Sequence, residues 1–401
     1  MRILTTQIWF DGLMIAGLMV AAAGEAYGHD KEPRWNGFMT SSVEASDKDV
    51  GYRGTITKTP NWSRNTRAGL NVSTAVADNL DVVIQAVAVA ESAEQLRSTL
   101  MLLNYRPMES LSLRLGRQQL PLWLMSDYLY VGHAMPWTSA PDEVYGANPL
   151  DSLDGANVAY SHNLGSMLFL TEFYGGSSLR TTGAGTLRTA VDARDLMGVT
   201  LAISSPLFTA RAGYAKADVG IESEAFKVNM RSSYLNYGLR MDYRGIVLLG
   251  EYAKYMEKRD ADEEQNAAMA YQAAAARVQQ TGAFEDKIAF QKAAAAYSAS
   301  QSSLAVAYGW YAMGGYRFGA WMPHLTHAVW KPAKDSFSLS PQSSNTLGVR
   351  YDLNTNTALK VNCKQVTKQE DEFGFFTATE ASATKTFTKA SIYSASLDVV
   401  F

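Results

Sequence analysis

The sequence predicts an all-β fold: a closed antiparallel transmembrane β-barrel of about sixteen strands, with long extracellular loops. Three observations predict it. Side-chain character alternates with a period of two in segment after segment. The connections between those segments alternate between short and long along the chain. Beyond the N-terminus no stretch of about 18 apolar residues occurs, so a helical membrane protein is excluded.

The first element is "MRILTTQIWFDGLMIAGLMVAAAGEAYGHD". Arg2 supplies a thin positive start, Gly12 to Ala23 a short apolar run, and Ala26-Tyr27-Gly28 small residues at cleavage-type positions. Residues 1–28 are expected to be a secretory signal peptide, because the run is too short to span a bilayer. Residues 29–401 then form the barrel.

Clean alternation follows in "TRAGLNVSTAV", "ESLSLRLGRQ", "NTLGVRYDL", "TALKVNCKQ" and the terminal "SIYSASLDVVF". In the last of these Tyr393, Ala395, Leu397, Val399 and Phe401 form one apolar row, separated by Ser394, Ser396 and Asp398. Candidate strands of roughly 9 to 13 residues, the length a tilted membrane strand needs, begin near Asn36, Thr66, Leu80, Arg97, Glu109, Gly155, Gly165 and Leu196. Further starts fall near Phe208, Ser232, Ile246, Leu304, Ala320, Asn345, Thr357 and Ser391.

Short connections include Ala77-Asp78-Asn79, Pro107-Met108, Asn163-Leu164, Arg244-Gly245 and Asn354-Thr355-Asn356. Long ones cover residues 45–65, 92–96 (a brief member of the set), 119–154, 175–195, 218–231, 257–303, 331–344 and 369–390. Short turns on one side and long loops on the other distinguish an up-and-down membrane barrel from a sandwich, whose turns are of mixed length. An even strand count lets the last strand pair with the first. Closure is compulsory in lipid, where unpaired backbone amides cost several kcal/mol each.

In its signal peptide, its sixteen or so alternating strands, its long third loop and its terminal "YSASLDVVF", the sequence resembles the Gram-negative outer-membrane porins. The "PEFGG" third-loop signature of the enteric members is absent. The resemblance implies a homotrimer in the outer membrane, in contact with lipid and lipopolysaccharide. It implies that the assembly machinery recognises the last strand, here through Tyr393, Leu397, Val399 and Phe401. It also implies that the third loop folds inward and narrows the pore.

That loop reads "QLPLWLMSDYLYVGHAMPWTSAPDEVYGANPLDSLD". Loops of this length are functional or disordered, and Trp123, Tyr128, Tyr130 and Trp137 speak against disorder. Its acids are Asp127, Asp142, Glu143, Asp151 and Asp154, and it carries no Lys or Arg. These are the expected constriction residues, with an external flap or trimer contact as the alternative. Strand parity turns Arg67, Arg114, Arg211, Arg240, Arg350, Lys360 and Lys364 inward, since a cation facing lipid at mid-membrane costs about 2–4 kcal/mol. An acidic loop opposite a basic wall sets a transverse field. The alternative is that these charges keep the lumen wet.

Residues 262–303 are Ala-rich, interrupted at Thr281-Gly282, and predict an antiparallel helical pair in the sixth long loop. Tyr105, Phe208, Tyr243, Tyr255, Trp321 and Tyr351 fall near strand ends and suit interfacial girdles. The lone Cys363 faces lipid and forms no intramolecular disulfide.

Enzyme chemistry is not evident. His324 and His327, three apart on a strand, face opposite ways and share no metal. There is no nucleophile elbow, P-loop or dinucleotide fingerprint, and no cofactor or metal is implied. The full chain carries 36 basic and 39 acidic residues, a net charge of −3, which argues against nucleic acid as a partner. The expected function is a water-filled channel for ions and small hydrophilic solutes. Its rivals are a substrate-selective channel and a plugged structural or adhesive barrel that binds a partner through the Ala-rich loop.

Overall fold

The computed structural model describes residues 32–91, 95–146, 150–182, 189–223, 227–259, 261–282, 305–333, 341–368, 374–376 and 387–401, with isolated positions between 286 and 297. The expected signal peptide lies outside the described residues.

Sixteen strands form one closed antiparallel sheet in chain order. They are β1 (Arg34–Ser46), β2 (Arg67–Ala77), β3 (Leu80–Val89), β4 (Leu96–Met108), β5 (Leu111–Gln119) and β6 (Ser152–Leu164). Next come β7 (Met167–Thr182), β8 (Thr189–Ser204), β9 (Phe208–Ser223), β10 (Lys227–Tyr243) and β11 (Ile246–Arg259). The circuit ends with β12 (Ala305–Tyr316), β13 (Trp321–Pro332), β14 (Gln342–Asn354), β15 (Thr357–Lys368) and β16 (Lys389–Val400). Fourteen of the sixteen starts read from the alternation fall within three residues of one of these, while those near Leu196 and Ser232 lie seven and five residues inside β8 and β10.

The sheet closes where β1 meets β16, in a register running from Phe38↔Val400 to Ser46↔Ile392. Backbone exchange at the rim fixes the last residue: Gly37 N donates to Phe401 O at 2.8 Å and Phe401 N to Gly37 O at 3.0 Å. The Phe401 ring lies where a side chain on residue 37 would stand, so this position needs glycine. Tyr393 and Phe401 are exposed, and Ser396 and Asp398 buried, so the apolar row of β16 faces outward. The same division holds on β15, where Leu359, Val361 and Cys363 face out while Lys360 and Asn362 face in.

Three expectations change. Strands β7 to β10 run for 16 or 17 residues, so most of residues 175–195 and 218–231 is strand rather than loop. Pairing continues there past membrane depth because the outward residues, among them Arg194, Asp218 and Arg231, are soluble and still alternate. Tyr255 is not a girdle residue: it shares its parity with Glu251 and Ala253, is 2% exposed, and points into the lumen. Asp154 lies on β6, and Leu153 and Asn157, of opposite parity, are the buried ones. It therefore faces outward, bonded to Arg117 by two contacts of 2.6 Å.

Two helices complete the described structure: α1 (Asp142–Tyr145), within the third long loop, and α2 (Ala261–Thr281), the first half of the Ala-rich insertion. Gly282, with φ +63°, ends α2 in the left-handed conformation that glycine adopts without strain. The second helix of the expected pair falls largely outside the described residues. At the positions that are described, Tyr271 of α2 stacks on Tyr297 (centroids 5.1 Å) and meets Phe290 (5.3 Å).

Candidate functional site

The third long loop, residues 120–151, lies inside the barrel. Its apolar residues, Leu120, Leu122, Trp123, Leu124, Met125, Met135 and Trp137, are at most 3% exposed. They pack on inward-facing apolar residues of the wall, including Ala215 and Val219 of β9, Leu249 and Tyr255 of β11, and Tyr311 of β12. Each such side chain contributes about 1.5–3 kcal/mol when fully buried. The wall is shaped to receive them. A side chain at Gly213 would strike the Leu122 carbonyl, and one at Gly238 would strike Leu124.

Polar anchors fix the loop along its length. The Pro121 carbonyl accepts from Arg211 Nη2 at 2.8 Å and from the Thr200 hydroxyl. Leu124 N donates to Glu251 Oε1 at 2.8 Å, an oxygen that also accepts from Asn236 Nδ2 at 2.8 Å. The other oxygen of Glu251 accepts from the Tyr145 hydroxyl and, at 3.3 Å, from Tyr311. Trp137 Nε1 donates to Thr326 at 2.7 Å. Lys360 Nζ donates to the carbonyls of Gly132 (2.6 Å) and Trp137 (3.1 Å) and lies 2.9 Å from Asp398. Arg350 donates to the carbonyls of His133 (2.5 Å) and Met135 (3.1 Å).

The loop's acids are likewise held by cations. Asp127 lies 3.0 Å from Arg211, which also meets Glu172 at 3.3 Å. Asp142 opens α1 and lies 2.9 Å from Lys364, 3.5 Å from Arg53 and 3.7 Å from Arg64. Burial pushes its carboxyl up, but Lys364, Arg53 and Arg64 outweigh that and hold it well below the usual carboxylate range. Glu143, with no exposed surface, takes Lys364 at 3.5 Å and Gln342 Nε2 at 2.9 Å. Asp151 meets Arg180 at 3.0 Å and Arg97 at 3.6 Å and accepts from the Tyr130 hydroxyl.

The remaining wall cations differ. Arg114 lies 3.7 Å from Glu172. Arg240 hydrogen-bonds Tyr128, and Arg67 faces the region of Asp398, Tyr130 and Glu44. Among the described residues neither Arg67 nor Arg240 has a carboxylate in ion-pair contact. His133, in the 3-10 turn Gly132–Ala134, is pushed down to about 4 by burial and by the neighbouring Arg350 and Lys360.

Sequence parity thus located the cations but missed the wall acids Glu44, Glu172, Glu251 and Asp398, each at most 3% exposed. The same parity marks them: Glu44 is in step with Thr40 and Ser42 on β1, and Asp398 with Ser396 on β16. The first long loop also reaches inward. Tyr52, 1% exposed, receives a hydrogen bond from Lys364 at 3.0 Å. A small recess of about 30 Å³, room for one or two waters, lies between it, the third loop and the wall of β13 to β16, bordered by Glu44, Arg64, Thr138, Thr326, Ser344 and Ser394.

A closed barrel of sixteen strands that carries its third long loop inside its own lumen has the fold of the outer-membrane porins, and this chain has that fold. An anion-selective porin from Comamonas acidovorans superposes with a TM-score of 0.57 at 13% identity, over 92% of this chain and 99% of that one. The outer membrane channel DcaP of Acinetobacter baumannii gives 0.55 at 12% identity, over 94% and 100%. The trimer form of in-vitro folded OmpT, an outer membrane protein of Vibrio cholerae, gives 0.54 at 10%, over 92% and 99%. The sequence matches no protein-family model and no curated protein.

Proposed function

We propose that this chain is an outer-membrane channel through which ions and small hydrophilic solutes diffuse passively, with a preference for anions. The observation that carries the reading is the distribution of lumenal charge. The loop acids Asp127, Asp142, Glu143 and Asp151 are each bonded to a cation, while among the described residues Arg67 and Arg240 have no carboxylate in ion-pair contact. Paired charges cancel at the distance of a passing ion. Glu251 also lacks a cation partner among the described residues, but it is buried beneath the loop by its four hydrogen bonds, so the unpaired guanidiniums set the sign of the field. The inner face of β3 to β5 is polar, with Gln85, Thr99, Asn104 and Ser112 turned inward.

The neighbours named as a porin and a channel support the same reading, as does the trimer form of another. On this proposal residues 1–28 direct export, and Tyr393, Leu397, Val399 and Phe401 on the outer face of β16 serve recognition during assembly into a homotrimer. Swelling of proteoliposomes in sugars of increasing size tests it. Rates should fall steeply with solute size, and folded barrels that leave liposomes impermeable to the smallest sugars would contradict it.

A further inference from the structure

The side chain at residue 53 conflicts with its own backbone. Arg53 has φ +52°, in the left-handed region, and Gly54 follows at φ +95°. Glycine adopts that conformation without strain, whereas arginine is disfavoured there and persists only where other contacts offset the cost. Its guanidinium reaches three groups outside its own loop. Nη2 donates to the Gly146 carbonyl at 2.8 Å, Nε lies 3.5 Å from Asp142, and the group covers the Phe375 ring at 5.2 Å. The backbone is held as well: Arg53 N donates to Phe375 O at 2.8 Å, and the Arg53 carbonyl accepts from Arg64 Nη1 at 2.9 Å.

Arg53 stands at the tip of the first long loop, residues 47–66, all of which are described. The base of that loop is pinned to β1. Ser46 N donates to Thr57 O at 2.7 Å, and Glu44 and Asn61 exchange backbone bonds of 2.9 and 2.8 Å. The tip dips into the lumen instead, with Val50, Tyr52 and Ile56 at most 2% exposed. It seats closely. The recess of about 30 Å³ left between it, the third loop and the wall of β13 to β16 holds one or two waters and no solute.

On the channel reading, on which this rests, we propose that the tip of the first long loop is a lid that limits the size of solute admitted on this side of the lumen. Arg53 is the positioning residue that keeps it seated on α1 of the third loop. A pinned base, an apolar tip and one strained residue bonded across the contact are what a hinged segment with a clasp requires. Glycine at residue 53 keeps the backbone conformation and removes the clasp. R53G therefore relieves a turn that needs only its shape, and opens a lid that needs the side chain.

The lid is read by labelling I56C with a membrane-impermeant maleimide on folded barrels, in a C363A background that removes the exposed native thiol. V50C, equally buried, is a second reporter. Both should be protected with Arg53 in place and labelled at least about tenfold faster in R53G, the loss expected for hydrogen bonds from a charged group. R53K keeps the charge without the forked donors and should fall between them. K58Q, at an exposed lysine of the same loop, should leave labelling unchanged. Liposome swelling should show R53G admitting raffinose several-fold faster than the parent, with arabinose entry little changed. Equal protection of the reporters in R53G and the parent overturns the proposal. So does faster labelling with unchanged raffinose entry, which would leave Arg53 a structural tie with no part in selection. Labelling is read without any flux, so barrels that pass no sugar refute the channel reading while the clasp stands or falls on the reporters alone.

Discussion

Replacing Lys364 by methionine removes the cation that joins Asp142 (2.9 Å), Glu143 (3.5 Å) and the Tyr52 hydroxyl (3.0 Å). Glu143 keeps only its bond to Gln342 among the described residues, and it has no exposed surface. Stripping one partner from a buried pair costs about 3–5 kcal/mol. Asp142 retains Arg53 and Arg64, so the lower end applies here. About 3 kcal/mol multiplies the open population of the α1 turn by roughly a hundred. The barrel itself, held by sixteen paired strands, stays folded. Single-channel recording at pH 7.5 should therefore show K364M flickering where the parent is quiet, and limited proteolysis should cut it near residues 142–146. Adding E143Q removes the stranded charge and should restore most of the quiet. Parent-like current noise and protection in K364M would refute the reasoning that buried charge pairs hold the loop.

Titration supplies a second prediction. The folded-state proton affinity of His133 is lowered to about 4 from an ordinary 6.5, so the folded loop binds fewer protons than the released one between those values. Anchoring is complete above pH 6.5 and weakens as pH falls toward 4, and H133Q should abolish the change in current noise over that window. Asp142 has the opposite sense: its depressed carboxyl keeps its contribution down to below its unperturbed value of 3.8 and loses it only in stronger acid. G213V places a Cβ 2.7 Å from the Leu122 carbonyl oxygen and should cost about 1–3 kcal/mol of loop anchoring, read as larger and noisier conductance. F401A removes the ring that covers Gly37 at the closing seam, and should reduce the yield of heat-modifiable folded barrel without changing the conductance of the barrels that form.

The barrel was legible because lipid and lumen impose opposite demands on successive residues. Leu359, Val361 and Cys363 against Lys360, Asn362 and Lys364 declare two faces without any knowledge of neighbours. Strand lengths were less legible. Outside the membrane a hairpin such as β7–β8 or β9–β10 can be polar on its outer face and remain paired, so polarity alone does not mark its end. Tyr255 sits near a strand end, where aromatics suit a girdle, but its parity with Glu251 decides its direction and turns it into the lumen. The inward course of the third loop follows from Trp123, Tyr128 and Trp137, which need burial. Which acid meets which cation does not, because Asp142 and Lys364 are brought together by barrel curvature and register over more than two hundred residues. Asp154 shows the same limit: one residue of register decides whether an acid lines the lumen or the outer wall.

Current through folded barrels in a planar bilayer under a salt gradient tests the central claim most directly. The account predicts sustained conductance with a reversal potential on the anion-selective side, moved toward cation selectivity by R67Q/R240Q. No conductance from demonstrably folded barrels, or a cation-selective potential unmoved by that pair, would contradict it.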